Sequence, residues 1–431
     1  MTRLCRWFAV GFCLVQLCSC CGGKDDESPG RTSSVPFVLE AMTISPRAVK
    51  PPAVPTKEVG ARFGGEPRPG KKTTALAQIS VGGGHACART VGGRALCWGS
   101  NDHGQIGNGS YGNRNTPATV SGLSSGVTSI AAGRRHACAI VSDGTVKCWG
   151  SNEFGQLGDN STDNSSVPTI TTGLGSGVTA IAAGFEHTCA ITWAGVMCWG
   201  SNQYGQIGVG PNGSKIVPML VDGLGSGVSA IATGAYFTCA IRASDDLVCW
   251  GSNQFGEMGK SSRVVRNMPA SVSGLGGLLS TVSGGGNHTC VLDAVGAVYC
   301  WGANQNGQLG IGTGENEDAP KRLYALSRTT AISAGMGHAC AINAGGGLLC
   351  WGGNKRGQVG DNTTMLRSVP TDVVGLKSGV VSVSAGSAST CVITTSGAAK
   401  CWGLNEDGRL GDGTYESSQV PVSVKWDPDG Q

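Results

Sequence analysis

Charge is scarce in this sequence: Asp, Glu, Lys and Arg make up 14% of its 431 residues, and aromatic residues only 6%. Between residues 24 and 75, nine Lys or Arg stand against six Asp or Glu, with Arg3 and Arg6 ahead of them. The formal net charge of +4 is therefore more than accounted for, and the stretch from residue 76 onward is nearly neutral at −1. It has no basic footprint, and no nucleic-acid partner is expected. Long runs of helical periodicity are missing too. With 72 glycines and 17 prolines the chain is punctuated too often for long helices, and an all-β protein is the first expectation. After residue 21 no two cysteines stand at the C-x2-C spacing of zinc sites, so neither a metal nor any other cofactor is expected.

What is present begins with MTRLCRWFAVGFCLVQLCSCC at residues 1–21: a short basic start, an apolar run of about a dozen residues, then small residues and cysteine. The run is too short for an ordinary membrane span and has the layout of a secretory signal peptide. Its end, LCSC at Leu17 to Cys20, resembles the lipobox of bacterial lipoproteins, which implies lipidation of Cys20 and anchoring to a membrane. The expected location is extracytoplasmic: the cell envelope, as an outer-membrane or cell-surface lipoprotein. Residues 21–75 are rich in proline (Pro29, Pro36, Pro46, Pro51, Pro52, Pro55, Pro67, Pro69) with dispersed charge, the composition of a flexible tether.

From residue 76 the chain repeats. Tryptophan follows cysteine and precedes glycine at Trp98, Trp149, Trp199, Trp250, Trp301, Trp351 and Trp402, at steps of 50 or 51 residues. Such a period means a solenoid or a propeller. Each copy holds short β-type runs, GVTSIAAG, HACAI and TVKCWG in the second, and a fourth strand is expected after the proline that ends the copy, as in Val167 to Thr171. Four strands in each of seven copies predict a seven-bladed β-propeller over residues 76–431. The first copy has no proline strand ahead of it, and VPVSVKW at Val420 to Trp426 has no copy after it. The last strand is therefore expected to complete the first blade and close the ring.

The cysteines are read by register. Pairing Cys138 with Cys148 leaves Ser142, Asp143 and Gly144 as a three-residue turn between Val141 and Thr145, with glycine in the left-handed position. Counting outward from the closing hydrogen-bonded pair puts the two cysteines on a non-hydrogen-bonded pair, whose Cα atoms are close enough for a cross-strand disulfide. The third copy is one residue shorter between its cysteines, and a two-residue loop of Trp193 and Ala194 preserves the register. Seven bridges are predicted: Cys87–Cys97, Cys138–Cys148, Cys189–Cys198, Cys239–Cys249, Cys290–Cys300, Cys340–Cys350 and Cys391–Cys401. An oxidising compartment beyond a signal peptide suits them. By alternation, Trp149 shares a face with Ala137 and Ala139, and its ring is expected to pack toward a neighbouring blade.

The pattern G-x-x-H-[AT]-C-A-I followed by G-x-[VL]-x-C-W-G-S-N-x-x-G-Q-[IL]-G resembles the repeat of the regulator of chromosome condensation family over residues 76 to 426. The resemblance implies a seven-bladed propeller, here with cysteines at positions that are usually apolar, small or polar. The eukaryotic namesake promotes nucleotide exchange on a nuclear small GTPase. Two features argue against that activity here: the export signal, and the unbroken spacing of ten residues from the last glycine of GQ[IL]G to the next proline, as in Gly107 to Pro117, which leaves no long loop to act as a wedge.

Groups that recur with the repeat are assigned to the frame. Asn101 and its six equivalents stand in every copy, glutamines such as Gln105 and Gln156 and the histidines His85, His136, His187, His288 and His338 in five of the seven, and no nucleophile, base and orienting acid stand apart from the repeat. No enzyme is expected. The runner-up enzyme reading requires acidic or histidine side chains converging at one mouth of the central channel. Asp159 with Asn160, and Asp361 with Asn362, are read as loop caps rather than calcium ligands. Binding is expected where copies differ: Tyr111, Arg114, Lys215, Arg263, Arg266, Met365, Arg367 and Tyr415 in the segments after GQ[IL]G, forming one rim. The other rim is expected to carry Trp193 at a hairpin tip, together with Tyr236 and Phe237. The chain thus reads as a monomeric, membrane-tethered propeller that binds a protein or a glycan.

Overall fold

The computed structural model describes residues 74–426, apart from 211, 212 and 261. It contains 28 strands and, among the described residues, no helix. The strands form seven four-stranded antiparallel sheets, each contiguous in sequence, over residues 76–119, 127–170, 180–220, 228–271, 279–322, 329–372 and 380–423. These are blades 1 to 7. In blade 2 the strands are Val127–Ala132, His136–Val141, Val146–Gly150 and Ser165–Ile170, from the innermost to the outermost.

The ring does not close as the sequence suggested. The final strand, Ser418–Ser423, pairs with Ala399–Gly403 of its own blade, and the first blade is complete without it. Every copy already supplies four strands in order, so no strand has to be exchanged. Closure comes instead from packing and hydrogen bonds across the seam between blades 7 and 1. Leu76, Ala86, Leu96 and Trp98 share a core cluster with Cys391, Cys401 and Leu410, and Val422, Val424 and Trp426 pack against it. The Trp98 indole N–H donates to the Arg409 carbonyl at 3.0 Å.

The other six seams are built likewise. Trp149 of blade 2 packs with Cys87, Cys97 and Ile106 of blade 1, while the Cys138–Cys148 bridge of blade 2 packs with Trp199 of blade 3. The seven tryptophans of the CWG triplets are fully buried, and among the described residues six of them donate through Nε1 to a carbonyl of the preceding blade at 2.9 or 3.0 Å. Gly158 shows why glycine ends the GQ[IL]G run: its φ is +68°, and a Cβ would stand 2.7 Å from the Trp199 indole nitrogen.

All seven disulfides form with the predicted pairing, at Cα separations of 4.0 to 4.2 Å. The turn is also as predicted. The Val141 N–H donates to the Thr145 carbonyl, and Gly144 has φ +81°. Asp245 takes the same place in blade 4 with φ +63°. Trp193 and Ala194 form the two-residue loop between Thr192 and Gly195.

The fourth strand starts earlier than expected. It contains the proline rather than following it, so Arg114, Lys215, Arg266 and Arg367 each open an outer strand instead of lying in a loop. Pro117 falls in a register irregularity between the pairs Cys97–Ala118 and Gly99–Arg114. A residue without an N–H is tolerated there because this is the edge strand.

Candidate functional site

Antiparallel order assigns every connection to one of two ends. The turn between the first and second strands and the long segment between the third and fourth lie at one end. The second-to-third hairpin and the links between blades lie at the other, the hairpin end.

At the first end the blades are tied by a closed collar of backbone hydrogen bonds. Gly83 donates to Gly133, Arg134 to Gly184, Phe185 to Ala235, Ala235 to Gly285, Gly286 to Gly335, Met336 to Gly386, and Ser387 back to Gly82, at 3.0 to 3.4 Å. A side chain is excluded just before each donor: a Cβ on Gly133 would stand 2.5 Å from the Gly184 carbonyl. The two residues after that glycine, and those after Ser-Asn in the long segment, are free to vary.

In blades 2 to 4 these free slots hold aromatic and charged side chains. The Phe185 and Tyr236 rings meet edge to face at 5.6 Å, and Tyr204 lies against Tyr236 at 5.1 Å. The Arg134 guanidinium sits over the Phe185 ring at 5.4 Å and pairs with Glu186 at 3.4 Å. Burial holds the Glu186 carboxyl above its ordinary pKa, with Arg134 pulling the other way. Burial, and then the charge of Glu186, push the Tyr236 phenol up. The cluster is half-buried and faces solvent. The matching slots elsewhere hold Gly83, Gly286, Met336 and Ser387. Phe154 and Phe255 extend the aromatic arc into the neighbouring long segments.

Beneath the collar runs a belt of fully buried histidines. The Thr188 hydroxyl donates to the Gln156 carbonyl at 2.9 Å, so its oxygen is left to accept from His136 Nε2, also at 2.9 Å. The same relay joins His187 to Thr238 and Gln206, and His338 to Thr390 and Gln358. Each of these three imidazoles is thus a neutral Nε2–H donor linking two blades, whereas His85 and His288 are buried in the same belt without such a partner. Burial lowers the histidine pKa values to about 3 for His85, His187 and His288 and about 4 for His136 and His338.

The channel holds a cavity of about 180 Å³, lined by small and aliphatic side chains of the inner strands with Gln78 and a few hydroxyls. That is below the volume of small-molecule sites, roughly 300 Å³ and upward. At the collar-end mouth Arg134 is the single titratable side chain in the lining, so the acidic or histidine set required by the enzyme reading is not gathered there.

The sequence-predicted rim residues are spread around the circumference rather than brought together. Tyr111, Met365 and Tyr415 are exposed, and Arg114 and Arg266 open exposed outer strands, with Lys215 half-buried. Two of the charges are spent on bracing: Arg263 pairs with Asp318 of the next blade at 3.2 Å, and Arg367 with Asp361 at 2.6 Å. Asp361 and Asp159 also accept from their own loops and from Asn354 and Asn152, which accounts for their oxygens as loop caps. Contrary to the expectation from the sequence, Tyr236 does not share a rim with Trp193. It stands at the collar end and Trp193 at the hairpin end, because one strand separates the two turns. Phe237 replaces a belt histidine and is buried. Cys20 lies outside the described residues.

Comparison with known proteins agrees with the architecture. The RCC1-like domain family matches residues 170–430, and the regulator of chromosome condensation (RCC1) repeat matches 76–105 and 127–156 in one form and 92–140 and 143–191 in another. The ultraviolet-B receptor UVR8 of Arabidopsis thaliana is 34% identical over 258 residues, covering 59% of this chain and 47% of that protein. The human E3 ubiquitin-protein ligase HERC2 is 30% identical over 242 residues, covering 54% of this chain and 5% of its own. The chain therefore spans less than half the length of these relatives. Among solved structures, Prp20p of Saccharomyces cerevisiae shares 23% identity with a TM-score of 0.66, over 72% of this chain and 80% of that one. Human WBSCR16 shares 23% with a TM-score of 0.65, over 74% and 86%. A seven-bladed ring of such repeats, matched by the family over more than half its length, makes this chain a member of the regulator of chromosome condensation (RCC1) repeat family.

Proposed function

We propose that this protein is a non-enzymatic binding module which holds a partner protein at the collar end of blades 2 to 4. In this reading residues 21–75 tether it to a membrane through a lipid on Cys20, in the cell envelope or at the cell surface. The observation that carries the binding site is the cluster of Arg134, Phe185, Glu186, Tyr204 and Tyr236, packed into slots that other blades fill with small or unrelated side chains. Half-buried aromatics flanked by arginine have the composition of binding hot spots. A protein of the same fold supports a protein partner: Prp20p, the yeast RCC1, has binding properties toward Gsp1p and histones and is also seen bound to Kap60.

A photo-reactive residue placed at Tyr204 of the full chain in its native cells tests the site. The expected result is a discrete adduct with one protein that is not formed from the same probe at Tyr415. No adduct, or the same adducts from both positions, contradicts the reading.

A further inference from the structure

The hairpin end carries a second surface. The three most exposed large hydrophobic side chains among the described residues, Trp193 (80%), Val295 (81%) and Tyr324 (84%), all stand there. Trp193 and Val295 occupy hairpin tips, and Tyr324 lies in the link after blade 5. Leu278, 61% exposed, borders the Val295 hairpin: its carbonyl accepts from the Ala294 N–H at 2.8 Å. On the other flank the Thr329 N–H donates to Gly296, which brings Arg328 beside the same tip. The Arg322 guanidinium lies 5.4 Å from the centre of the Tyr324 ring. The foot of blade 5 therefore combines protruding apolar groups with two arginines.

The point where the chain enters the fold indicates what this end faces. The Leu76 N–H donates to the Gly397 carbonyl at the hairpin tip of blade 7, and the Val91 N–H donates to Ala75. The segment before residue 74 therefore joins the fold at the hairpin end. An anchor in that segment would therefore be attached to the propeller through its hairpin end.

We propose that the hairpin end is a membrane-facing surface. Trp193, Leu278, Val295 and Tyr324 enter the headgroup layer of a lipid surface, and Arg322 and Arg328 meet its anionic headgroups. Tyrosine and tryptophan suit that layer because each has an apolar body and a polar tip. A surface of this kind adds a second, weaker attachment to a lipid anchor, and two signals together give stable binding. The proposal rests on the reading of Cys20 as a lipid anchor and residues 21–75 as its tether, and the test separates the two.

The full chain is floated with vesicles of phosphatidylcholine and phosphatidylglycerol in three forms: unchanged, Cys20→Ser, and Cys20→Ser with Val295→Ser and Tyr324→Ser. The expected result is that Cys20→Ser weakens but does not abolish flotation, and that the two further substitutions lower the bound fraction roughly tenfold more, with the melting temperature unchanged. If Cys20→Ser alone abolishes flotation, the surface is overturned while the anchor stands; if the two further substitutions change nothing, the surface is overturned and the Cys20→Ser result alone decides the anchor. If Cys20→Ser changes nothing and the further substitutions remove binding, the anchor reading fails and the surface stands.

Discussion

Blades 2 to 4 and blades 5 to 7 share one frame and present different chemistry on it. In both halves a buried tryptophan bonds to the preceding blade and a disulfide backs onto the next tryptophan. At matching slots of the collar, however, blade 3 carries Phe185 and Tyr204, where blade 6 carries Met336 and Arg356. The first pair joins a cluster spanning blades 2 to 4; Arg356 instead pairs with Glu406 of blade 7. The difference separates residues that hold blades together from residues a blade is free to spend on recognition. A side chain directed into a seam is buried between both neighbours, whereas one at the collar makes a few lateral contacts and keeps a face open to solvent or a partner.

The equivalence of the two halves can be broken most forcefully in the seams. Trp199→Ala and Trp351→Ala, one in each half, should each cost about 3 to 5 kcal/mol in denaturant unfolding, because each empties a close-packed site. A small loss in one half would show that its seams are not the structural unit described here. Next come the bridges. Removing Cys189–Cys198 or Cys340–Cys350 by paired alanines should each cost roughly 2 to 3 kcal/mol, as expected for closing loops of about ten residues.

The histidine belt makes a pH prediction common to both halves. Folded-state pKa values of about 3 to 4 lie below the ordinary 6.5, so the unfolded chain binds more protons across that interval. Stability should be level above pH 6.5 and fall as the pH drops toward 4, by roughly 2 kcal/mol per histidine at pH 5. Melting measured across pH 4 to 8 checks this. His187→Phe, which copies the natural Phe237 of blade 4, should flatten the slope, and an unchanged slope would count against buried neutral imidazoles. The smallest effect is expected in the recognition sector. Arg134→Ala breaks an ion pair that is partly open to water and should change stability by less than about 1 kcal/mol.

Much of the frame was legible in the sequence because it repeats. Counting from Gly144 fixed the Cys138–Cys148 register, and the shorter third copy confirmed it through Trp193 and Ala194. The phase of a repeat, by contrast, does not say where one blade ends, so the closing strand was assigned to the wrong blade. The outer strands are exposed on one side and interrupted at proline; without clear alternation, Ser165 and Ser166 gave no sign that the strand had begun. The place of Tyr236 follows from antiparallel order instead: two turns on either side of one strand lie at opposite ends, so Tyr236, in the turn before its strand, is at the collar, and Trp193, in a hairpin after its strand, is at the other end.

The collar cluster itself was missed because Phe185 and Tyr204 occupy slots inside the motif rather than in the segments after it. A signal was available. All four phenylalanines after residue 75, Phe154, Phe185, Phe237 and Phe255, fall in blades 2 to 4.

The central claim is that recognition belongs to the blade 2–4 collar and not to the repeated frame. The most direct test compares proteins retained by the immobilised full chain in three forms: unchanged, Phe185→Ser with Tyr204→Ser, and Met336→Ser with Arg356→Ser. The account predicts that a specific partner is lost from the first pair and kept by the second, with all three forms melting alike. Equal loss from both pairs, or retention by the Phe185 and Tyr204 variant, would contradict it.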